Sequence, residues 1–224
     1  MNRSRYLAVL LAFVVSMMSV GNAAELVEVR TILLNETSDV ALIDDYLSTA
    51  LIPALARQGI GPVGVLEPTE ADETDIQAIF LVIPFESFDQ VQASKLALAG
   101  DSEYQEAAKE YLSRGRKEAP YARFRSELLS AMDCWPQVKV PEGATSNGDR
   151  VFELRLYESS NERLGDLKVE MFNQGEVPIF LDCQILPIFI GQCVVGPQMP
   201  SLTYLTVYDN ETARQEAWKA FRVH

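Results

Sequence analysis

The stretch Val27-Glu28-Val29-Arg30 returns as Phe152-Glu153-Leu154-Arg155, and this return decides the fold. Sliding the chain along itself by the same 125 positions lays Pro53 on Pro178, Ile60 on Ile185 and Pro62 on Pro187. Val82 falls on Val207, Glu86 on Glu211, Ser87 on Thr212 and Gln90 on Gln215, with no gap needed from Val27 to Ala99. One offset that gathers prolines, charges and a helix start marks an internal duplication.

Each copy reads the same way. Leu26 to Leu34 and Val151 to Glu158 have strand length and apolar alternation. Leu42, Tyr46 and Leu47 recur as Leu167, Met171 and Phe172, a helical stripe that Pro53 and Pro178 kink or restart. Ile60 to Leu66 and Ile185 to Val195 are second strands, and Ile76 to Ile83 and Leu202 to Tyr208 third strands. Ser87-Phe-Asp-Gln90 and Thr212-Ala-Arg-Gln215 read as capping boxes that start a second helix. Copy one continues with a helix near 102–113 and a strand from Tyr121 to about Leu128. The order β-α-β-β-α-β is the ferredoxin-like unit, so the fold class is α+β, with two tandem ferredoxin-like repeats. The divisions are a leader at 1–23, a first repeat at 25–140, a linker at 141–149 and a second repeat at 150–224. Copy two stops at His224 where copy one is only at Ala99, so it is expected to lack its last strand, as a fragment would.

The first strand of each copy has two unlike faces. Val27, Val29 and Leu33, or Phe152, Leu154 and Leu156, are expected to sit under the helices. Glu28, Arg30 and Ile32, or Glu153, Arg155 and Tyr157, are then expected to line the interior if two such sheets close into a barrel. Leu205 and Val207 contrast with Tyr204, Thr206 and Tyr208 in the same manner. A buried charge needs a partner, and Glu and Arg two residues apart on one face can pair as a structural ladder. The same residues can also form a pocket, with Arg155 meeting an anion and Tyr157 or Tyr204 packing an apolar body. Glu28, Arg30, Glu153, Arg155, Tyr157 and Tyr204 are the candidate ligand-binding residues. No catalytic residue is assigned, since a nearby Arg keeps each Glu ionised, and no metal-binding residue is assigned either.

Arg3 and Arg5, the apolar run Tyr6 to Val15 and the small residues Gly21-Asn22-Ala23 form a secretory leader, with cleavage after Ala23 or Ala24. The apolar core is short of the roughly 20 residues of a spanning helix. Export to a periplasmic or extracellular space is expected, with no membrane attachment after cleavage. Removing the two arginines takes the net charge from −13 to −15. That acidity argues against nucleic acid, which demands clustered Lys and Arg. With a single His and three Cys, no cofactor or metal is expected.

Cys183 and Cys193 bracket a strand and stand too far apart for a disulfide, whereas Cys134 could pair with either. No nucleotide, hydrolase or zinc-protease motif is present. Asp72-Glu-Thr-Asp75 and Asp44-Asp45 read as solvated surface, and Arg114-Gly-Arg-Lys117 as a helix C-terminal end. Trp218, at helical spacing from Phe221, reads as core, and Trp135 as an edge cover.

Copy two carries Phe152-Glu-Leu-Arg-Leu-Tyr157, Met171-Phe-Asn-Gln-Gly-Glu-Val-Pro-Ile-Phe180 and Leu186-Pro-Ile-Phe-Ile-Gly191. Gly196-Pro-Gln-Met-Pro-Ser-Leu-Thr-Tyr-Leu-Thr-Val-Tyr208 and Ala217-Trp-Lys-Ala-Phe221 follow. In this order the motifs resemble the NIPSNAP family of the dimeric α/β-barrel superfamily, most clearly over residues 150–224. The resemblance implies a ferredoxin-like sheet that pairs with a second sheet into a barrel, here within one chain. It implies no settled activity. Relatives in the superfamily include cofactor-free monooxygenases and haem enzymes, which use His, Trp or Asn in the barrel. This chain departs from them, since its one His is the terminal His224. The mitochondrial and vesicle-traffic links of eukaryotic members do not suit a chain with a secretory leader.

The expected function is a non-catalytic module that holds a small apolar or anionic molecule in the barrel. The alternatives are a cofactor-independent monooxygenase-like enzyme and a packed interaction scaffold. A homo-oligomer through barrel or sheet contacts is an expected partner. A continuous cavity reaching Arg155 and Tyr157 would separate the first two from the third.

Overall fold

The computed structural model describes residues 3–10, 26–69, 77–144 and 146–224, the first of these by backbone alone. Repeat one supplies β2 (Leu26–Leu33), β3 (Gly64–Pro68), β4 (Ala78–Phe85) and β5 (Arg123–Ala131). Repeat two supplies β6 (Val151–Glu158), β7 (Leu186–Val195) and β8 (Ser201–Tyr208). With β1 (Arg3–Leu10) they close an antiparallel barrel in the order β1-β3-β4-β2-β5-β7-β8-β6. The two repeats meet at β5 and β7, where Leu129 pairs with Cys193 and Ala131 with Gly191. A Cβ on Gly191 would come within 2.7 Å of the Leu129 Cβ, so this joint closes only around a glycine.

The order within repeat one, β5-β2-β4-β3, recurs in repeat two as β6-β8-β7 without a fourth strand among the described residues. The place beside β6 is held by β1, with Arg5 opposite Arg155 and Ala8 opposite Phe152, and β1 reaches β3 on its other side. The rest of the leader, the cleavage site and the acidic Asp72–Asp75 segment lie outside the described residues. Among the described residues no helix is long and apolar enough to cross a membrane.

The first helix of each copy carries the duplication into its fine geometry. α1 (Val40–Asp45) passes through a π-helical turn, Tyr46–Leu51, into α2 (Ile52–Arg57). α6 (Glu162–Met171) passes through Phe172–Glu176, also π-helical, into α7 (Val177–Asp182). In both, a proline stands at the start of the following α segment, where its missing N–H and ring bulk disturb the normal ladder. Repeat one adds α3 (Phe88–Gly100), α4 (Ser102–Ala107) and α5 (Lys109–Ser113), and repeat two ends with α8 (Glu211–Phe221).

The Ser87 cap is as expected: its side chain accepts from the Gln90 N–H. In repeat two the helix starts earlier, with Asn210 accepting from the Ala213 N–H, so Thr212 is not the cap. Asn outcompetes Thr there because its amide oxygen reaches the orphan N–H from an extended backbone.

The strand faces are the reverse of the sequence expectation. Val27, Val29, Phe152, Leu154, Leu205 and Val207 form one cluster drawn from both repeats, which fills the barrel interior. Leu26, Ile32 and the helix residues Ile43, Leu47 and Leu51 form a second cluster, under the helices of repeat one. Tyr204, Tyr208 and Trp218 join Phe172 and Phe180 in a third, under the helices of repeat two. Glu28, Arg30, Glu153, Arg155 and Tyr157 therefore face helices, not the lumen. The middle of the lumen is filled by apolar side chains, and charge enters it only at one end, where Arg125 and Glu127 border a cavity, whereas the helix layer has gaps at its edges where charges reach solvent or one another.

Candidate functional site

Above the sheet of repeat two, between α6 and its π-helical turn on one side and α8 on the other, lies an open cleft of about 1630 Å³. Leu164, Met171, Ile179, Phe221 and the rings of Tyr157 and Trp218 give it apolar walls. Arg155, Lys168, Arg214, Lys219 and Arg222 stand against Glu153, Glu158 and Glu176 among its charged residues. In an acidic protein, this balance is locally inverted towards cations.

Glu153 and Arg155 lie at the cleft floor because β6 alternates and places both on its helix-facing side. The Glu153 side chain is 1% exposed and is held by three donors. The Trp218 Nε1–H donates to Oε2 at 2.5 Å, Arg214 donates to Oε1 at 3.3 Å and the Tyr208 hydroxyl donates to Oε2 at 3.4 Å. Arg214 is itself anchored by two 2.7 Å bonds to Glu211.

Arg155 has a different environment. Its side chain is 5% exposed, and the nearest approach to Glu153 is 4.0 Å from Nε, beyond hydrogen-bond length. The guanidinium lies 4.1 Å from the centre of the Trp218 ring and 5.6 Å from that of Tyr157. Among the described residues, no hydrogen bond reaches any of its five N–H groups. Burial acts to lower its pKa, but the tyrosine oxygens around it and Glu153 outweigh this and the net direction is up, so it stays charged. A buried cation held mainly by π faces, with its fork of donors free, is set up to receive an anion.

Beside it, burial raises the Glu176 carboxyl above its usual range, while Lys168 and Arg155 pull the other way. Lys168 also lies 4.9 Å from the Tyr157 ring. Tyr157 joins its hydroxyl to that of Tyr204 at 3.0 Å. Tyr204 is fully buried beneath, packed against Phe172 and Phe180, so it supports the floor and does not line the cleft.

Glu28 and Arg30 are not part of this site. They sit at the equivalent place in repeat one and grip each other, Nε to Oε1 at 3.0 Å and Nη2 to Oε2 at 3.2 Å, with Ser126 donating as well. Aromatic rings lie above them. Tyr111 stacks on Tyr46 at 3.8 Å, and the Tyr46 and Tyr104 hydroxyls meet at 2.9 Å. Tyr104 and Tyr111 belong to α4 and α5, which have no counterpart among the described residues of repeat two. Those rings cover Glu28 and Arg30 only in part, since Arg30 keeps 27% of its side chain exposed against 5% for Arg155.

Of the six sequence candidates, Glu153, Arg155 and Tyr157 thus line one cleft, Tyr204 backs it, and Glu28 and Arg30 lie apart. Trp218 was expected only to pack, and it does pack against Phe180 and Phe221. It also donates to Glu153, a role that its helical spacing does not reveal. Arg214, Lys168 and Glu176 carried no sequence signal beyond being charges on a helix. Trp135 does cover an edge, donating from Nε1 to the Ile188 carbonyl while Lys139 lies over its ring. All three cysteines are free thiols, and burial pushes Cys134 up to about 11. Among the described residues no cluster of His, Cys, Asp and Glu could hold a metal ion.

Two solved structures share this fold. One, from Lactobacillus acidophilus NCFM, bears the name "putative monooxygenase"; it aligns at TM-score 0.56 with 12% identity, over 88% of this chain and 84% of its own. The other, with the same description and from Fusobacterium nucleatum subsp. nucleatum ATCC 25586, aligns at TM-score 0.54 with 10% identity, over 90% and 84%. At such identities the likeness is one of fold, the dimeric α/β barrel. No curated protein matches the chain. Residues 152–224, which hold the open cleft and its Glu153-Arg155-Trp218 floor, match the family model described as NIPSNAP.

Proposed function

We propose that this protein is a non-catalytic binding module that holds a small molecule with an anionic head and an apolar body in the cleft of repeat two. The observation that carries the reading is Arg155: buried, charged, under a large open cleft and free of hydrogen-bond partners among the described residues. An anionic head placed there takes up the unused fork of donors, and the apolar body lies along Leu164, Met171, Ile179 and Phe221. With the leader read as a secretory signal, the binding takes place after export, in a chain from which cleavage has removed β1 but which keeps the cleft residues from Glu153 to Arg222.

A second reading, a cofactor-independent monooxygenase-like enzyme, draws on one feature. Glu176 is an acid in the cleft whose proton affinity is raised by burial, as a proton acceptor requires. The names of the two structural neighbours agree with it, but their likeness extends to fold alone.

Native mass spectrometry of the full chain, purified from its source without refolding, tests the first reading. An added mass that is lost on denaturation, and absent from the Arg155→Gln variant, is the expected result. A clean mass, together with no binding of decanesulfonate by calorimetry, would overturn it. Consumption of oxygen dependent on Glu176 would move the assignment to the second reading.

A further inference from the structure

We propose that Trp218 is a positioning residue that keeps Arg155 available, by holding the Glu153 carboxylate away from it. The inference rests on the anion-binding reading of the cleft, and the duplication within the chain supplies its control.

Both repeats present a Glu and an Arg two residues apart on the helix-facing side of their first strand. In repeat one the carboxylate closes on the guanidinium with two bonds of 3.0 and 3.2 Å. In repeat two the same pair is more deeply buried, where attraction between charges is stronger, yet it stays 4.0 Å apart. The difference lies in what else the carboxylate can reach. Glu153 is held by Trp218, Arg214 and Tyr208. At the offset of 125, these positions are Ala93, Asp89 and Ile83 in repeat one, none of which can donate a side-chain hydrogen bond to a carboxylate at neutral pH. Glu28 has only the Ser126 hydroxyl beside Arg30, so it closes on Arg30 as well and the arginine is consumed internally. With them, Glu153 is satisfied elsewhere and the fork of Arg155 is left for a ligand.

Among the three, Trp218 holds the decisive place. Its bond to Glu153 is the shortest, and the same ring lies 4.1 Å from the Arg155 guanidinium. It thus separates the two charges while supporting both. Less than about 1 Å of movement would bring Glu153 and Arg155 to hydrogen-bond distance, so losing the indole N–H lets the pair close as it does in repeat one.

The test uses the full chain and decanesulfonate, an anion with an apolar tail. Trp218→Phe keeps an aromatic face over Arg155 and removes only the donor. The expected result is an affinity lower by about ten-fold or more, the range for a hydrogen bond to a charged group. Adding Glu153→Gln to Trp218→Phe weakens the competing carboxylate and should restore most of the loss. Glu153→Gln alone sets the reference, since loss of a negative charge beside Arg155 raises anion affinity by itself. The gain should be larger in Trp218→Phe than in the wild type, whereas a ring that served only as packing gives equal gains. Equal gains, or no loss in Trp218→Phe, overturn the proposal. If the wild-type chain binds no decanesulfonate, the anion-binding reading fails, and nuclear magnetic resonance of the arginine side chains then decides the positioning role. Guanidinium rotation of Arg155 should be fast in the wild type and slow, like that of Arg30, in Trp218→Phe. Equal rotation in the two proteins refutes it.

Discussion

Glu127 gives the sharpest stability prediction. It lies on β5 at one end of the barrel interior, bordering a cavity of about 130 Å³ with Val29, Leu33, Phe80, Leu154 and Leu156. The Gly196 backbone packs against it so closely that a Cβ there would stand 2.9 Å from the Glu127 Cβ. Burial pushes its carboxyl from 4.5 to about 7. The folded pKa is raised, so between about 4.5 and about 7 the folded state holds a proton that the unfolded state has released. Stability therefore falls as pH rises through that window, and the whole penalty is present above it. A displacement of this size corresponds to about 3 kcal/mol at most, and the residual exposure of Glu127 brings the expectation to about 2 kcal/mol. Glu127→Gln keeps the shape and removes the titration. In urea unfolding at pH 4.5, 6 and 8, the variant should match the wild type at the lowest pH. At pH 8 it should exceed the wild type by about 2 kcal/mol, which in a thermal melt is about 4–8 °C in midpoint for a chain of this size. A difference that does not change with pH, or a wild type that is the more stable at pH 8, refutes the reasoning.

Binding should depend on pH through Glu176. As pH falls through its raised pKa the cleft loses a negative charge near Arg155 and Lys168, so decanesulfonate affinity should rise several-fold by calorimetry, and Glu176→Gln should abolish the dependence. Gly191→Ala forces a Cβ against Leu129 at the joint between the repeats and should cost about 1–3 kcal/mol in denaturant unfolding. Asn210→Ala should cost about 1 kcal/mol by the same assay, because it removes the cap of α8, whereas Thr212→Ala should change little.

The duplication was legible because it is written in residue identities, and periodicity then supplied the elements. Val27 to Arg30 and Phe152 to Arg155 alternate with strand period, and the paired prolines mark the same break in the same helix. Two ferredoxin-like units follow from that alone. A strand's alternation says that it has two faces and which residues share one, because successive side chains point opposite ways. It does not say which face meets the helices and which meets the second sheet. Both environments accept apolar residues, and the choice depends on what the other elements bring. Here Phe152, Leu154 and their partners from repeat one fill the lumen, and the charged face lies under the helices.

The candidate site shows the same division. Glu153, Arg155 and Tyr157 were found from one strand, since their spacing fixes their common face. Tyr204 was placed with them because β8 alternates in the same way, and its burial beneath Tyr157 became visible only once β6 and β8 were paired. Trp218 stands 65 residues from the carboxylate it holds, and no local pattern reports such a contact. The aromatic cover over the helix of repeat one also depends on a distant segment, with Tyr104 and Tyr111 folding back over Tyr46. By itself the sequence determined that there are two copies, what each is made of and which charges travel together. Tertiary structure decided where those charges face, which arginine is spent on its own glutamate and which is left free, because hydrogen bonds and burial depend on distances between residues far apart in the chain.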